Sequence, residues 1–435
     1  MLKKIFVIGL FTGVGQLFSI LVLKFISQHG SVLELNEIAQ LDSLVFFIMN
    51  IIAFGLQSAA IRNIALSQNW KQEYENTQSA RFTMGLLLMA VAVLALINKY
   101  YLVFLIAPVF ALSGEYALYA RGAAIAGAIV SFLRLTISFS AVMAAVYFFP
   151  QYTGVAYATA LFTVYIITNY MICYFLKVPF FVRPKVNSIK LYFQSFQLGL
   201  VTICLYFIGL GLIIVIPYFY RSEIVAVVFV GLKFYVLYKG ILRIIHQAFV
   251  KEMTSESMCL KVDQLSIMIG FLLLGSIAIF PESFITLFFG KQYLAEKNFF
   301  LLLGIGAMIY SFFLSMSTRS LLQKKDRVYS IVTVIAFLVT LILSVVLSFY
   351  WQTTLAIGVS ICAGELTWMI GLYNISSNFR ELRNRFIFAV GTSLVLFNPF
   401  VIRYFFGDAL PYYVIGFVLF SVILLILHHK KFKLP

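Results

Sequence analysis

Apolar residues run along the chain in blocks of about twenty, broken by short clusters of Lys, Arg, Pro, Asn and Asp. That length matches the roughly 20 residues with which a helix crosses a bilayer, and it argues against a barrel of roughly ten-residue strands. The blocks predict spans near 5–27, 42–66, 81–97, 101–120, 123–149 and 154–176. After a basic interruption they predict further spans near 197–217, 222–249, 262–280, 297–320, 328–349, 354–375, 385–405 and 411–428. The expected fold is all-α: a polytopic membrane protein of about fourteen helices. Six, six and two is the natural grouping, with a first lobe at 1–176, a basic cytoplasmic linker at 177–196, a second lobe at 197–378 and two extra spans at 379–435.

Composition agrees. Of 435 residues, 62% are apolar and 11% charged, with a mean hydropathy of +1.00, so little chain remains for a soluble catalytic module. Lys3 and Lys4 before an apolar run from Ile5 to Leu23 imitate a signal peptide, but that run exceeds the roughly 7–15 residues of a signal core and lacks an A-x-A site. An uncleaved first span is expected. Cys173, Cys204, Cys259 and Cys362 form no C-x-x-C pair, so neither a disulfide framework nor a zinc site is expected.

Lys and Arg number 32 against 16 acids, an excess that in a multispan protein anchors cytoplasmic loops and does not call for nucleic acid. With the N-terminus inside, twenty cations fall in cytoplasmic loops, Arg81 and Arg385 among them, and five outside: Lys99, Arg221, Lys291, Lys297 and Arg403. The bias predicts cytoplasmic N- and C-termini and an even number of spans. Within the linker, Ile189, Tyr192, Phe193 and Phe196 repeat at i, i+3, i+4 and i+7, which reads either as a short helix on the inner membrane surface or as a plain connection. Between Pro281 and Asn298 the chain is too short to span and too apolar for a free loop, so it is expected to dip into the interface before turning at Gly290.

Seven cations remain inside the spans: Lys24, Arg62, Arg134, Lys233, Lys239, Arg243 and Arg319. Each costs about 2.5–3.5 kcal/mol at a helix centre on insertion scales, so they call for a wet cavity or for partners. Lys24 and Arg319 lie near helix ends, where snorkelling is an equal account. In the eighth span Tyr235, Lys239, Arg243 and His246 share one face, whereas Lys233 points about 120° away from Lys239. The first span offers Gly9, Gly13 and Gln16, and the second Asn50, Gln57, Ser58 and Arg62. Either these faces line one aqueous cavity or they are ordinary packing positions of a helix bundle. Glu115 and Glu365 are the clear acids of the apolar runs and Asp42 sits at a boundary, so a cavity there is expected to be net positive and suited to phosphate or pyrophosphate. Glu115 with Arg134 makes a stretched salt bridge across a depth difference of very roughly 10 Å. Glu365 reads as a proton or cation coupling site or as a partner of Arg319.

No catalytic constellation is present: the sequence holds no H-E-x-x-H, no G-x-S-x-G and no phosphate loop. Neither a cofactor nor an enzymatic activity is expected, and a secondary transporter with a midplane site between two lobes fits the pattern.

Three motifs carry a resemblance. They are Pro281-Glu-Ser-Phe-Ile-Thr-Leu-Phe-Phe-Gly290 followed by Gln292, Tyr293 and Ala295; Gly55-x-Gln57-x-Ala59-Ala60-x-Arg62; and Glu115-Tyr116-x-x-Tyr119-x-Arg121-Gly122. With the span pattern, they make the chain similar to the O-antigen type of polysaccharide flippase in the multidrug, oligosaccharidyl-lipid and polysaccharide exporter superfamily. The resemblance implies an alternating-access transporter that moves an undecaprenyl-pyrophosphate-linked oligosaccharide across the inner membrane. A glycan polymerase and a chain-length regulator are its implied partners, beside membrane lipids. Related lipid-linked precursor flippases carry basic residues in the first, second and eighth spans, where Lys24, Arg62, Lys239 and Arg243 stand here. The expectation is that Arg62, Lys239 and Arg243 hold the pyrophosphate while Gln16, Asn50 and Gln57 contact sugar, with Lys24 and His246 among the substrate-binding residues. A drug exporter or a lipid-linked peptidoglycan precursor exporter of the same fold is the nearer alternative, and an O-antigen polymerase the farther one, although the longest outer connection is under about twenty residues.

Overall fold

The structure is a computed structural model that describes residues 2–249, 256–322, 325–376, 383–391, 411 and 413–416. Among these residues all regular structure is helical. The first part of the chain forms α1 (Leu2–His29), α2 (Val32–Ala53), α3 (Leu56–Leu66), α4 (Trp70–Met89), α5 (Ala107–Ala111), α6 (Glu115–Ala120), α7 (Ala124–Phe148) and α8 (Thr153–Leu176). After the linker come α9 (Lys190–Gln194), α10 (Phe196–Phe207), α11 (Leu212–Val215), α12 (Ser222–Phe249), α13 (Glu256–Ile279) and α14 (Pro281–Phe288). The last group is α15 (Lys297–Ser311), α16 (Leu314–Leu322), α17 (Asp326–Ser348) and α18 (Thr354–Ser376). Among the described residues nine helices are long and apolar enough to cross a membrane, and two bent pairs bring the number to eleven. The two extra spans expected at 385–405 and 411–428 fall largely outside the described residues.

Two boundaries differ from the sequence pattern, and both matter. Ser31 and Glu34 form a reciprocal capping box, each side chain bonded at 3.2 Å to the other's backbone N–H, and this starts α2 at Val32 instead of 42. Asp42 is thereby not at a boundary but in the middle of a membrane helix. Between α2 and α3 stands Gly55, whose φ of 72° is left-handed, and a Cβ there would come within 2.6 Å of the Gly199 nitrogen, so glycine is required for the break to seat on α10. Similarly, α4 begins at Trp70 and, with a 3-10 turn over Ala90–Leu96, forms a span of 27 residues. Arg81, expected in a cytoplasmic loop, is inside that span and 5% exposed.

Helices α1 to α8 pack mainly on one another, and α10, α13 and α15 to α18 form a second group, to which α12 belongs while also lying along the first. The two groups meet where α1 and α2 lie along α12, where α2 also touches α10 and α11, and where α1 reaches α14. The linker does contain a short helix, α9, which meets α10 at 75°, and the buried Tyr192 ties it to the end of α2 by donating to the Ile52 carbonyl at 2.7 Å. Helix α17 shows how the bundle is built. Thr333, Ala336, Thr340 and Ser344 are buried on its packed face while Ile331, Ile335, Leu338 and Ile342 are exposed on the other. Small residues permit close helix approach and apolar ones meet lipid. At Gly364 of α18 a Cβ would fall 1.8 Å from Thr340 Oγ1, so the α17–α18 contact depends on that glycine.

Candidate functional site

The seam between the two groups is polar at two levels. At the His29 end of the bundle, Lys24 Nζ donates to the carbonyls of Thr286 and Leu287 at 2.8 and 2.9 Å, capping the last turn of α14. Those carbonyls lack intrahelical donors and carry the negative end of the helix dipole, so an ammonium is well matched to them. Beside it, Gln292 donates to Ser27 Oγ at 2.9 Å. Near mid-membrane, Lys233 of α12 pairs with Asp42 of α2 at 2.5 Å. Both side chains are buried, Tyr157 donates to the second Asp42 oxygen at 2.6 Å, and the rings of Phe46, Phe139 and Phe229 surround the ammonium.

The cationic face of α12 points elsewhere. Tyr235 and Lys239 both donate to Glu365 of α18, the tyrosine at 2.6 Å, and Lys239 lies over the rings of Tyr235 and Tyr310. Tyr310 in turn stacks on the buried Trp368. One turn of α12 thus presents Tyr235 and Lys239 to its own group, while Lys233, rotated away, supplies the contact across the seam.

Inside the first group lies a cavity of about 270 Å³, bordered by residues of α1 to α8. Gln16 and Gln57 line it. On one wall Arg134 is held on all sides: it donates to Glu115 at 2.7 Å, Thr168 at 2.9 Å, Ser113 at 3.0 Å and Asn169 at 2.9 Å, with its guanidinium 4.1 Å from the Tyr165 ring centre. The Glu115–Arg134 bridge that the spacing made look stretched is formed, because the chain breaks at Ser113–Gly114 and starts α6 at Glu115, where the carboxylate meets α7. On another wall stands Arg81.

The expected site residues therefore divide. Gln16 and Gln57 share the cavity of the first group; Asn50 instead donates to the Phe46 carbonyl of its own helix at 2.7 Å. Lys24 serves the seam, and Lys239 and Glu365 serve each other. The backbones of Arg62, Arg243 and His246 lie on α3 and α12, and their side chains fall outside the described residues. The sequence reading missed three participants. Asp42 and Arg81 were hidden by helix starts placed about ten residues late, although the Ser31-x-x-Glu34 capping box is a legible signal for the first. Arg385, expected in a cytoplasmic loop, is fully buried and pairs with Asp263 at 2.7 Å, an ion pair that Ser315 completes by donating to Asp263 from backbone and hydroxyl. Asp42, Glu115, Asp263 and Glu365 each hold a basic partner, which leaves the buried Arg81 as a positive charge in excess.

No metal-binding cluster of His, Cys, Asp and Glu is found among the described residues. No sequence family and no curated protein sequence matches the chain. Solved structures do. The chain is similar to the lipid II flippase MurJ in an inward closed conformation, with a TM-score of 0.75 at 11% identity over 98% of this chain and 99% of that one. It is similar to an inward-facing multidrug resistance MATE transporter of the MOP superfamily (0.56, 15% identity, 83% and 95% covered). A eukaryotic MATE transporter, AtDTX14, gives 0.57 at 14% identity with 90% and 99% covered. At these identities the fold is what is shared, and the chain has the all-helical, multi-pass fold of these transporters.

Proposed function

We propose that the protein is an alternating-access flippase for an undecaprenyl-pyrophosphate-linked oligosaccharide, working in the inner membrane with both termini in the cytoplasm, and that it is not an enzyme. The carrying observation is the fold match over nearly the whole of both chains to a lipid II flippase, against shorter and lower matches to drug transporters. The resemblance of the motifs around Pro281, Gly55 and Glu115 to O-antigen-type flippases favours a polysaccharide repeat unit over a lipid-linked peptidoglycan precursor. A cation-drug exporter is disfavoured because each buried acid described here already holds a base.

In this reading the His29 end faces outward and is closed. Opening it separates α1 and α2 from α12 and α14, so Lys24 must leave the α14 carbonyls, Gln292 must leave Ser27 and Lys233 must leave Asp42. Arg243 lies ten residues beyond Lys233, about 15 Å further along α12 at 1.5 Å per residue, toward the cytoplasmic end. Arg62 and Arg243 are assigned to the pyrophosphate there, with Lys239 joining when Glu365 releases it. Released product would pass to a glycan polymerase and its chain-length regulator.

The test is depletion of the protein in its own cell, followed by an impermeant glycan-modifying reagent that reports the leaflet on which lipid-linked oligosaccharide accumulates. Accumulation inside is expected, with the same phenotype for Arg62→Ala and Arg243→Ala at normal membrane levels. Accumulation outside as single repeat units would instead identify a lost polymerase. Full export by both variants would sink the pyrophosphate assignment.

A further inference from the structure

Arg81 is the charged group that the transport reading leaves unused. It stands on α4 in the interior of the first helix group, 5% exposed, and lines the 270 Å³ cavity. Its Nη1 has no hydrogen-bond partner, and its Nε reaches the Ala111 carbonyl only at 3.4 Å. The guanidinium lies 5.1 Å from the Tyr116 ring centre. The two carboxylates on the cavity wall are already committed, Asp42 to Lys233 and Glu115 to Arg134. With Lys233 counted beside the four charged lining residues, the cavity carries one positive charge that nothing around it neutralises. A buried cation without an anion is costly, and a guanidinium with an unpaired donor on a cavity lining is chemically matched to an acceptor.

The rest of the wall narrows the class of acceptor. At about 270 Å³ the cavity is just below the roughly 300–1,000 Å³ of sites that enclose drug-sized ligands, and far above the roughly 30 Å³ of one water or a halide of similar size. The lining includes the rings of Phe110, Tyr116, Phe139 and Tyr165 and the side-chain amides of Gln16 and Gln57. Ser138 adds a second buried polar atom without a partner, its Oγ. A lining that combines aromatic rings with amide and hydroxyl groups suits a pyranose ring, which has C–H faces and a rim of hydroxyls. The guanidinium fork suits a carboxylate on that ring.

From this cavity we infer a binding site for one acidic sugar, with Arg81 on the carboxylate and Gln16, Gln57 and Ser138 on the hydroxyls. As a statement about the transported glycan, namely that it contains a uronic acid, the inference rests on the flippase reading. As a statement about binding it does not, and the experiment reads binding.

Purified full-length protein in detergent is mixed with millimolar glucuronate or glucose, and saturation transfer from protein to sugar is measured by NMR. Wild type is expected to transfer several-fold more to glucuronate than to glucose. Arg81→Gln should bring glucuronate down to the glucose level, and Arg81→Lys should keep part of the difference. Ser138→Leu, which fills the cavity and removes an unpaired hydroxyl while leaving Arg81 in place, should also abolish the signal, and it carries the test if Arg81→Gln does not fold. Equal transfer to both sugars, or a glucuronate signal that survives in folded Arg81→Gln or Ser138→Leu, would overturn the inference. So would a ³⁵Cl line broadening that depends on Arg81 with no glucuronate signal, which would make this a halide site. Glucuronate binding in a protein whose depletion leaves lipid-linked glycan flipping intact would keep the site and remove only the flippase reading.

Discussion

Two buried ion pairs of the same chemistry sit in different mechanical positions. Arg134 and Glu115 belong to one helix group, and the guanidinium finds four oxygen-bearing side chains and an aromatic face. Lys233 and Asp42 join the two groups, and the ammonium is enclosed by one carboxylate and three phenyl rings. A fixed charge is wrapped in donors and acceptors from all sides. Lys233 has one ionic partner and otherwise apolar neighbours, from which it can withdraw without breaking further hydrogen bonds of its own. The contrast is between a charge fixed within one helix group and a charge that joins the two; under the proposed function the second is the one that must release.

The largest expected effect tests the fixed pair. Arg134→Met leaves Glu115 partly buried without its cation and strips Ser113, Thr168 and Asn169 of a donor, a loss of about 3–5 kcal/mol. It should appear as a lower melting temperature in detergent and a lower membrane level, with no change in which end of the bundle is open. Lys233→Met leaves an uncompensated Asp42, a cost of the same order in the closed state, but one that the protein can relieve by parting α2 from α12. Melting temperature should therefore fall less than for Arg134→Met, while cysteines placed on the seam side of α2 gain reactivity from the His29 end. The double variant Asp42→Leu with Lys233→Met should recover stability, since a buried pair replaced by apolar residues is often neutral, and should remain closed and export poorly. If Lys233→Met is as destabilising as Arg134→Met and leaves accessibility unchanged, the distinction between the pairs fails. Smallest is Lys24→Met, which removes a helix-terminal cation worth about 0.3–1 kcal/mol. It should produce a slight gain in accessibility at the same end and no measurable loss of membrane level.

The sequence carried the class of molecule because span length and hydropathy are local properties. The periodicity of the linker leaves a short helix open beside a plain connection, and α9 forms there; the segment after Pro281 reads only as too short to span, and it forms α14. Charge positions were less legible. Acidic residues at Glu34 and Glu37, and the charged run near Lys71 to Glu75, made the starts of α2 and α4 read as loops, because solvated first turns of a helix look like connections when scored by hydropathy. That error moved Asp42 to a boundary and Arg81 out of the membrane, and with them the acid of the seam pair and the cation of the cavity. Arg134 and Glu365 were recognised as anomalous, but their partners were not fixed by spacing: an ion pair between helices depends on rotation and depth, and neighbouring spans offer several choices within reach.

By itself the sequence determined that this chain is a polytopic helical membrane protein without a recognisable catalytic motif, since apolar run length and residue chemistry suffice for both. Tertiary structure alone decided which charges meet. It turned Lys239 inward to Glu365 and Lys233 outward to Asp42 from one helix, and it left Arg81 on the lining of a cavity with no acid to take it. The physical reason is that a helix fixes the angle between its side chains, whereas only the packing of its neighbours determines what stands at the end of each angle.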